Sequence, residues 1–202
     1  MIKIHNFPRG VRGQRVMWLC EEMNIHYLVQ NHSFPVEADY QALNPLGTVP
    51  FLQDSDGVAI NESVAMMLYI VQRYGPTPLF PANGGPLMAR VLQLTLFGET
   101  EVAMNINPLI AAHFMAGDAD KRNWSVVGLE KRVERALQFA SSLVEKKSFL
   151  GDSLTIADIS VSCGLGMWEG ALRGGLPEQL MVYQERLRSK SFISKGLVSL
   201  CR

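Results

Sequence analysis

The sequence predicts an α/β first half joined to an all-helical second half. Strand-like and helix-like periodicities alternate up to residue 73. A run of breakers follows, Tyr74-Gly75-Pro76-Thr77-Pro78-Leu79-Phe80-Pro81-Ala82-Asn83-Gly84-Gly85-Pro86, with four prolines and three glycines in thirteen residues, which neither a helix nor a strand can continue. Beyond it only helical patterns recur. The expected organisation is a first domain over residues 1–75, a linker over 76–86 and a helical domain over 87–202, and each domain is long enough to bury a core.

Residues 2–6 alternate apolar and polar side chains at period two, which suits a short first strand. The loop Phe7-Pro8-Arg9-Gly10-Val11-Arg12-Gly13 then leads into Val16, Leu19, Cys20 and Met23, apolar at helical spacing on one face. Residues 25–30 are a second strand candidate, parallel to the first if the intervening helix is a crossover. His32 stands in an irregular loop and reads as solvated, and residues 37–43 suit one or two helical turns. Residues 50–53 and 58–60 are short strands joined by Asp54-Ser55-Asp56-Gly57, a hairpin turn. An apolar helix over 64–73 follows, with Asn61 or Ser63 as its N-cap.

Long helices are expected over about 87–114, 122–145, 156–170 and 177–190. In the second of these Leu129, Val133, Ala136, Leu137, Ala140, Leu143 and Val144 form an apolar face opposite Lys131, Arg132, Glu134 and Arg135. Thr155-Ile156-Ala157-Asp158 reads as a capping box, with the Asp158 carboxylate reaching back to the Thr155 N–H.

Nineteen basic and nineteen acidic side chains leave no net charge, which argues against a nucleic acid or a membrane surface as an electrostatic partner. No run approaches the roughly 18 apolar residues of a spanning helix, and the polar start does not suit a signal peptide. A cytosolic protein is expected, with a small molecule or another chain as partner. The cysteines Cys20, Cys163 and Cys201 are odd in number and widely spaced, so neither a disulfide framework nor a dithiol pair is supported, and Cys20 and Cys163 read as core residues.

The stretch richest in chemistry is Asn44-Pro45-Leu46-Gly47-Thr48-Val49-Pro50-Phe51-Leu52, with Asn61-Glu62-Ser63 some ten residues on. An X-Pro bond between a turn-rich loop and a strand is where a cis peptide is tolerated. A cis Val49-Pro50 bond would turn the Val49 N–H and C=O outward, free to pair with an extended peptide-like ligand. Upstream, Arg9, Arg12 and the N–H groups opening the first helix make a positive field suited to an anion or thiolate.

Taken in order, these motifs, the breaker-rich linker and Phe149-Leu150-Gly151-Asp152-Ser153-Leu154-Thr155-Ile156-Ala157-Asp158 resemble the cytosolic glutathione transferase superfamily over nearly the whole chain. The resemblance implies a thioredoxin-like N-terminal domain, a mixed sheet with flanking helices, and an all-α C-terminal domain. It implies glutathione as co-substrate, no metal, and a homodimer. Thr48, Val49 and a cis Pro50 would pair with the cysteinyl unit, while Glu62 and Ser63 hold the γ-glutamyl end. The charges match. Glu62 can accept from the ammonium, and the Ser63 hydroxyl with the next helix's N–H groups can donate to the carboxylate.

The chain departs from the family in its first loop. Members usually place a Tyr, Ser or Cys there to serve the glutathione sulfur, whereas residues 5–15 contain no Tyr, Ser, Thr or Cys. Matching Arg15-Val16 to the Arg-Val of bacterial members puts Gly10 or Val11 at that place. Three substitutes remain: the backbone N–H of Val11 or Arg12, the charge of Arg9 or Arg12, or the Asn6 amide. Arg12 with the backbone N–H groups is the favoured set. Arginine is no base at neutral pH, so its role would be to lower the thiol pKa.

The resemblance also places a small hydrophobic electrophile between the domains, with Phe7, Phe97, Glu101, Met104 and Phe114 as candidates and Asn105, Asn107 and Trp168 beside them; an apolar pocket with few polar groups suits such a substrate. The first function is thiolate transfer to that electrophile. A glutathione-binding or stress-response protein without turnover is the alternative the missing hydroxyl favours. Glutathione-dependent ether cleavage, dehalogenation or isomerisation is a third. A dithiol disulfide reductase is disfavoured.

Overall fold

The computed structural model describes residues 1–8, 10–145 and 147–190. They form two compact units, Met1–Thr77 and Pro78–Lys190. In the first, four strands assemble in the order β2-β1-β3-β4: β1 (Ile2–Asn6), β2 (Tyr27–Asn31), β3 (Phe51–Gln53) and β4 (Ala59–Ile60). β1 runs parallel to β2, paired from Ile2 with Tyr27 to Asn6 with Asn31, and antiparallel to β3. The crossover between β1 and β2 is α1 (Val11–Glu22), as parallel pairing requires. β3 and β4 form the expected hairpin. Two further helices, α2 (Ala38–Leu43) and α3 (Ser63–Arg73), complete the unit. Ile2, Ile4 and Leu52 of the sheet, Val16 and Leu19 of α1, and Met66, Met67 and Ile70 of α3 are all fully buried. Cys20 lies in this core, and burial pushes its thiol up to about 12.

The second strand starts two residues later than its composition suggests. The Ile25 N–H still donates to Cys20 C=O at 2.8 Å, and Asn24 has φ 52°, so the chain is leaving α1 where the apolar run begins. His32 is a clearer correction. Its ring is nearly buried, with Nε2 2.8 Å from His5 Nδ1 and Nδ1 2.9 Å from Glu37 Oε2.

The hairpin turn is pinned by Asp54, whose carboxylate accepts from the Ser55 N–H at 2.6 Å, from the Tyr69 hydroxyl at 2.8 Å and from the Tyr74 hydroxyl. Burial pushes this carboxyl up, but the bonds from Tyr74, Ser55 and Tyr69 outweigh it and hold it at about 2. An unfolded aspartate titrates near 3.9. The depressed group therefore stabilises the fold fully above about pH 4, and that contribution is lost as pH falls toward 2. Urea unfolding at pH 4 and at pH 2.5 should show wild type losing part of roughly 2 kcal/mol that Asp54→Asn does not lose; parallel losses would refute the assignment.

The second unit holds α4 (Pro86–Phe97), a π-helical segment (Gly98–Ala103), α5 (Met104–Met115), α6 (Trp124–Val144), α7 (Ile156–Leu172) and α8 (Glu178–Lys190). α7 is apolar nearly all round and forms the centre, buried continuously from Ile156 to Leu165, as such a helix must be. The apolar stripe of α6 packs inward as its spacing predicts.

The single helix expected over 87–114 is interrupted by the π segment. Asn105 Nδ2 takes the Glu101 carbonyl inside the segment at 2.7 Å, while Pro108 falls beyond it within α5. Gly98 lets the segment approach α7 closely, because a Cβ there would sit 2.6 Å from Ser160 Oγ. No helix of the described residues is long and apolar enough to cross a membrane.

Candidate functional site

The site is built at one end of the first unit, where β1 leaves the sheet, α1 begins, and the loop before β3 runs past the start of α3. Asn6, the last residue of β1, is buried. Its Nδ2 donates to Gly10 C=O at 3.0 Å, and its amide fills the space beside Gly10 and Gly13, where any Cβ would come within 2.5 Å of it. The Gly10 N–H donates to Phe7 C=O at 2.9 Å, closing the turn from which α1 departs. α1 has no side-chain cap on its first-turn N–H groups, and Val11 and Arg12, the first two helical residues, are half-buried. Arg9, named with them as a thiolate partner, lies outside the described residues. Phe7 meets Phe34 edge-on at 6.2 Å, and Phe34 is 86% exposed, an apolar surface the sequence reading did not name.

The Val49-Pro50 peptide is cis, as are Phe34-Pro35 and Gly75-Pro76. The preceding carbonyl is firmly held: Thr48 C=O accepts from the Tyr40 hydroxyl at 2.6 Å and from Asn44 Nδ2 at 2.8 Å. Asn61 ties the same loop to α3, donating to Asn44 Oδ1 at 3.1 Å while Thr48 Oγ1 donates to its Oδ1 at 3.5 Å. Among the described residues the Val49 N–H and C=O make no intramolecular hydrogen bond. They form a short unpaired edge on a fixed loop.

Beneath this loop lies a stack of rings. Tyr40 packs on His32 at 3.9 Å and on His5 at 5.3 Å, and His5 Nε2 lies 2.9 Å from Gln53 Oε1. Burial lowers the His5 pKa against the raising effect of Gln53. The bond from His32 leads the causes that hold the Glu37 carboxyl down at about 2, with Ser33 contributing. This stack joins β1, the loop after β2 and α2 to the Thr48 carbonyl. Its members lie up to 48 residues apart, so no local pattern reveals it.

Neither residue expected to cap α3 does so. Asn61 is engaged by Asn44 and Thr48, and Ser63, the first helical residue, accepts at Oγ from Arg15 Nη1 at 3.1 Å. The N-cap position falls to Glu62, whose φ of 68° lies in the left-handed region that non-glycine residues avoid. Glu62 is exposed and Ser63 buried, so the pair offers a carboxylate at the surface and a hydroxyl just beneath it.

Candidates in the second unit fall into separate groups. Phe97 and Glu101 line one groove with Arg132, Arg135 and Phe139, and Phe97 meets Phe139 edge-on at 5.1 Å. Met104 and Phe114 are exposed on α5. Trp168 lines a different pocket with His113 and Leu109. Asn105 is buried and spends its amide on the π segment, which makes it structural, and Asn107 is exposed. Among the described residues no group of three or more His, Cys, Asp or Glu could hold a metal ion.

A thioredoxin-like sheet unit followed by a helical unit is the architecture of the cytosolic glutathione transferases. Over 100% of this chain and 95% of its own, a delta-class glutathione transferase of Nilaparvata lugens superposes with a TM-score of 0.85 at 20% identity. A glutathione transferase of Methylococcus capsulatus does so with 0.84 at 22% identity, over 99% and 98%. Residues 12–73 match the family model described as glutathione S-transferase, N-terminal domain. The match over residues 12–73 makes the first unit similar to the N-terminal domain of glutathione S-transferases, and the chain as a whole shares the fold of the solved glutathione transferases.

Among curated relatives, glutathione S-transferase Z1 of Arabidopsis thaliana is 44% identical over 88 residues, 41% of this chain and 38% of its own. Elongation factor 1-gamma of Schizosaccharomyces pombe is 29% identical over 145 residues, 69% of this chain and 33% of its own. The chain thus spans about a third of the length of the curated relatives it matches.

Proposed function

We propose that this protein binds glutathione along Thr48, Val49 and Pro50, with Glu62 and Ser63 at the γ-glutamyl end, and transfers its thiolate to a small hydrophobic electrophile. The observation that carries the reading is the unpaired Val49 N–H and C=O beside the start of α3. A peptide-like ligand can pair with both groups, while its amino-acid end meets the Glu62 carboxylate and the α3 N-terminus.

In the reaction the thiol gives its proton to solvent. Sulfur then forms a bond to the electrophilic carbon, and a leaving group departs with the electron pair or the pair moves into a conjugated acceptor. The chain's contribution is to hold sulfur as thiolate, through the Val11 and Arg12 N–H groups and the Arg12 guanidinium. Phe7 and its neighbour Phe34 offer the electrophile an apolar surface, and Phe97, Glu101, Met104 and Phe114 remain candidate contacts. As the superfamily resemblance implies, we take the working form to be a cytosolic homodimer.

Thiolate absorbance against pH tests the mechanism. Arg12→Ala should raise the pKa of the bound thiol by about one unit, the low end for a charge a few ångströms away; an unmoved value removes Arg12. Retention on immobilised glutathione followed by a panel of electrophiles tests the function. Retention without turnover favours the second reading, a glutathione-binding interaction protein. The first loop without a hydroxyl supports that reading, as does the longer match to a protein named elongation factor 1-gamma.

A further inference from the structure

Four polar groups stand in one hydrogen-bonded line beneath the Thr48 loop. Gln53 Oε1 is 2.9 Å from His5 Nε2, His5 Nδ1 is 2.8 Å from His32 Nε2, and His32 Nδ1 is 2.9 Å from Glu37 Oε2. The two ends of the line fix its hydrogens. Glu37, held at about 2, is a carboxylate near neutrality and only accepts, so His32 Nδ1 carries a hydrogen. The Gln53 carbonyl oxygen also only accepts, so His5 Nε2 carries another. Between the rings one nitrogen must donate and the other accept, which takes a third. Two neutral imidazoles hold two hydrogens on their nitrogens. The pair in this arrangement therefore holds one proton more, and with it a positive charge.

Loss of that proton changes the line at its far end. His32 keeps its bond to Glu37 and accepts from His5 Nδ1, which leaves His5 Nε2 an acceptor facing a carbonyl, and the Gln53 amide must turn to present its NH2. The groups facing the pair are Lys3 of β1, Glu37 and Tyr40 from the N-cap and first turn of α2, and Phe51 and Gln53 of β3. Burial disfavours charge on His5 against the Gln53 bond, and Lys3 adds to burial, so the charge resides on His32 beside Glu37. There Tyr40 covers it, with 3.9 Å between ring centroids and 29° between planes, while its hydroxyl donates to the Thr48 carbonyl at 2.6 Å. A cation is attracted to an aromatic face. We propose that the His5–His32 pair is a proton switch for the Thr48-Val49 edge: its charged form draws Tyr40 onto His32 and fixes the loop for a ligand, and its neutral form relaxes both. The control of binding rests on the glutathione reading above; the shared proton does not.

Imidazole nitrogen shifts followed by NMR from pH 5 to about 8.5 test the shared proton. Both rings and the Gln53 amide should report one midpoint, because coupled groups titrate as a pair. Of the two rings Glu37 touches only His32, yet Glu37→Gln, which keeps an acceptor and removes the charge, should lower the midpoint by about one unit at both. Rings that titrate separately, or a shift confined to His32, overturn the shared proton. Calorimetry with S-methylglutathione, which has no thiol to ionise, tests the control. Wild-type affinity should fall about threefold as pH rises through the midpoint, what a modest cation–π contact represents, and in Glu37→Gln the fall should move with the midpoint. A common midpoint with a flat affinity overturns the control of the edge. Wild type that binds no S-methylglutathione at any pH removes the glutathione reading instead. The Val49 amide resonance, which needs no ligand, then decides: it should shift at the pair's midpoint, and an unmoved one overturns the switch.

Discussion

Replacing Asp158 with alanine should lower the melting temperature by more than about 10 °C while leaving glutathione affinity per folded molecule unchanged. The side chain is fully buried and accepts four hydrogen bonds. The Leu150 N–H reaches Oδ1 at 2.8 Å and the Tyr183 hydroxyl reaches it at 3.0 Å, while the Thr155 N–H and hydroxyl reach Oδ2 at 2.9 and 3.1 Å. The capping-box bond is one of these. The others tie the loop before α7 and the interior face of α8 to the same carboxylate. Loss of a helix cap alone costs about 1 kcal/mol. Truncation here also strands a buried N–H and a buried tyrosine hydroxyl, at roughly 1–3 kcal/mol each, so a total of about 4 kcal/mol is expected.

Asp158→Asn separates the contributions, since it keeps the shape but turns an NH2 toward at least one donor. It should recover part of the loss and not all of it. Burial pushes the Asp158 carboxyl above its ordinary value against the pull of its four donors, as befits a group sealed into the fold. An unchanged melting temperature in Asp158→Ala would refute the account.

The capping box shows what a sequence makes legible. Thr155 and Asp158 lie three residues apart, so their bond depends on local chain geometry alone, as do the hairpin turn at Asp54-Ser55-Asp56-Gly57 and the stripe of α6. The same holds for the order of elements, because each begins or ends at residues that restrict their own backbone. The bonds that set the candidate site are different. Arg15 and Ser63 are 48 residues apart, as are His5 and Gln53, and nothing near either member of a pair predicts the other. Asn61 looked like a helix cap because local rules assign asparagine that role; a distant Asn44 claimed it instead. The π segment was hidden for the converse reason: Asn105, which holds its Glu101 carbonyl, was visible, but the approach of Gly98 to α7 was not. Thr48, Val49, Pro50, Glu62 and Ser63 were named from motif order and resemblance, and the backbone at Glu62 could not have been read from either.

That backbone makes the second large effect. Glu62→Ala should weaken glutathione binding by about thirtyfold or more, the loss expected when a carboxylate no longer accepts from an ammonium at a ligand's end. Glu62→Gly should weaken it as much and yet differ from alanine in stability. At φ 68° and ψ 108° a residue with a Cβ carries strain of about 1 kcal/mol or more, and glycine carries little. Strain of this kind persists only where surrounding structure fixes it, and here Asn61 on one side and the Arg15 bond to Ser63 on the other do so. The glycine variant should therefore melt a few degrees above the alanine variant, while calorimetry finds both poor binders. A residue kept in an unfavourable conformation, whose replacement by glycine stabilises the chain and removes the ligand, is one whose side-chain direction serves binding. Equal glutathione affinity in wild type, Glu62→Ala and Glu62→Gly would take Glu62 out of the ammonium site and leave its strain without the ligand that accounts for it.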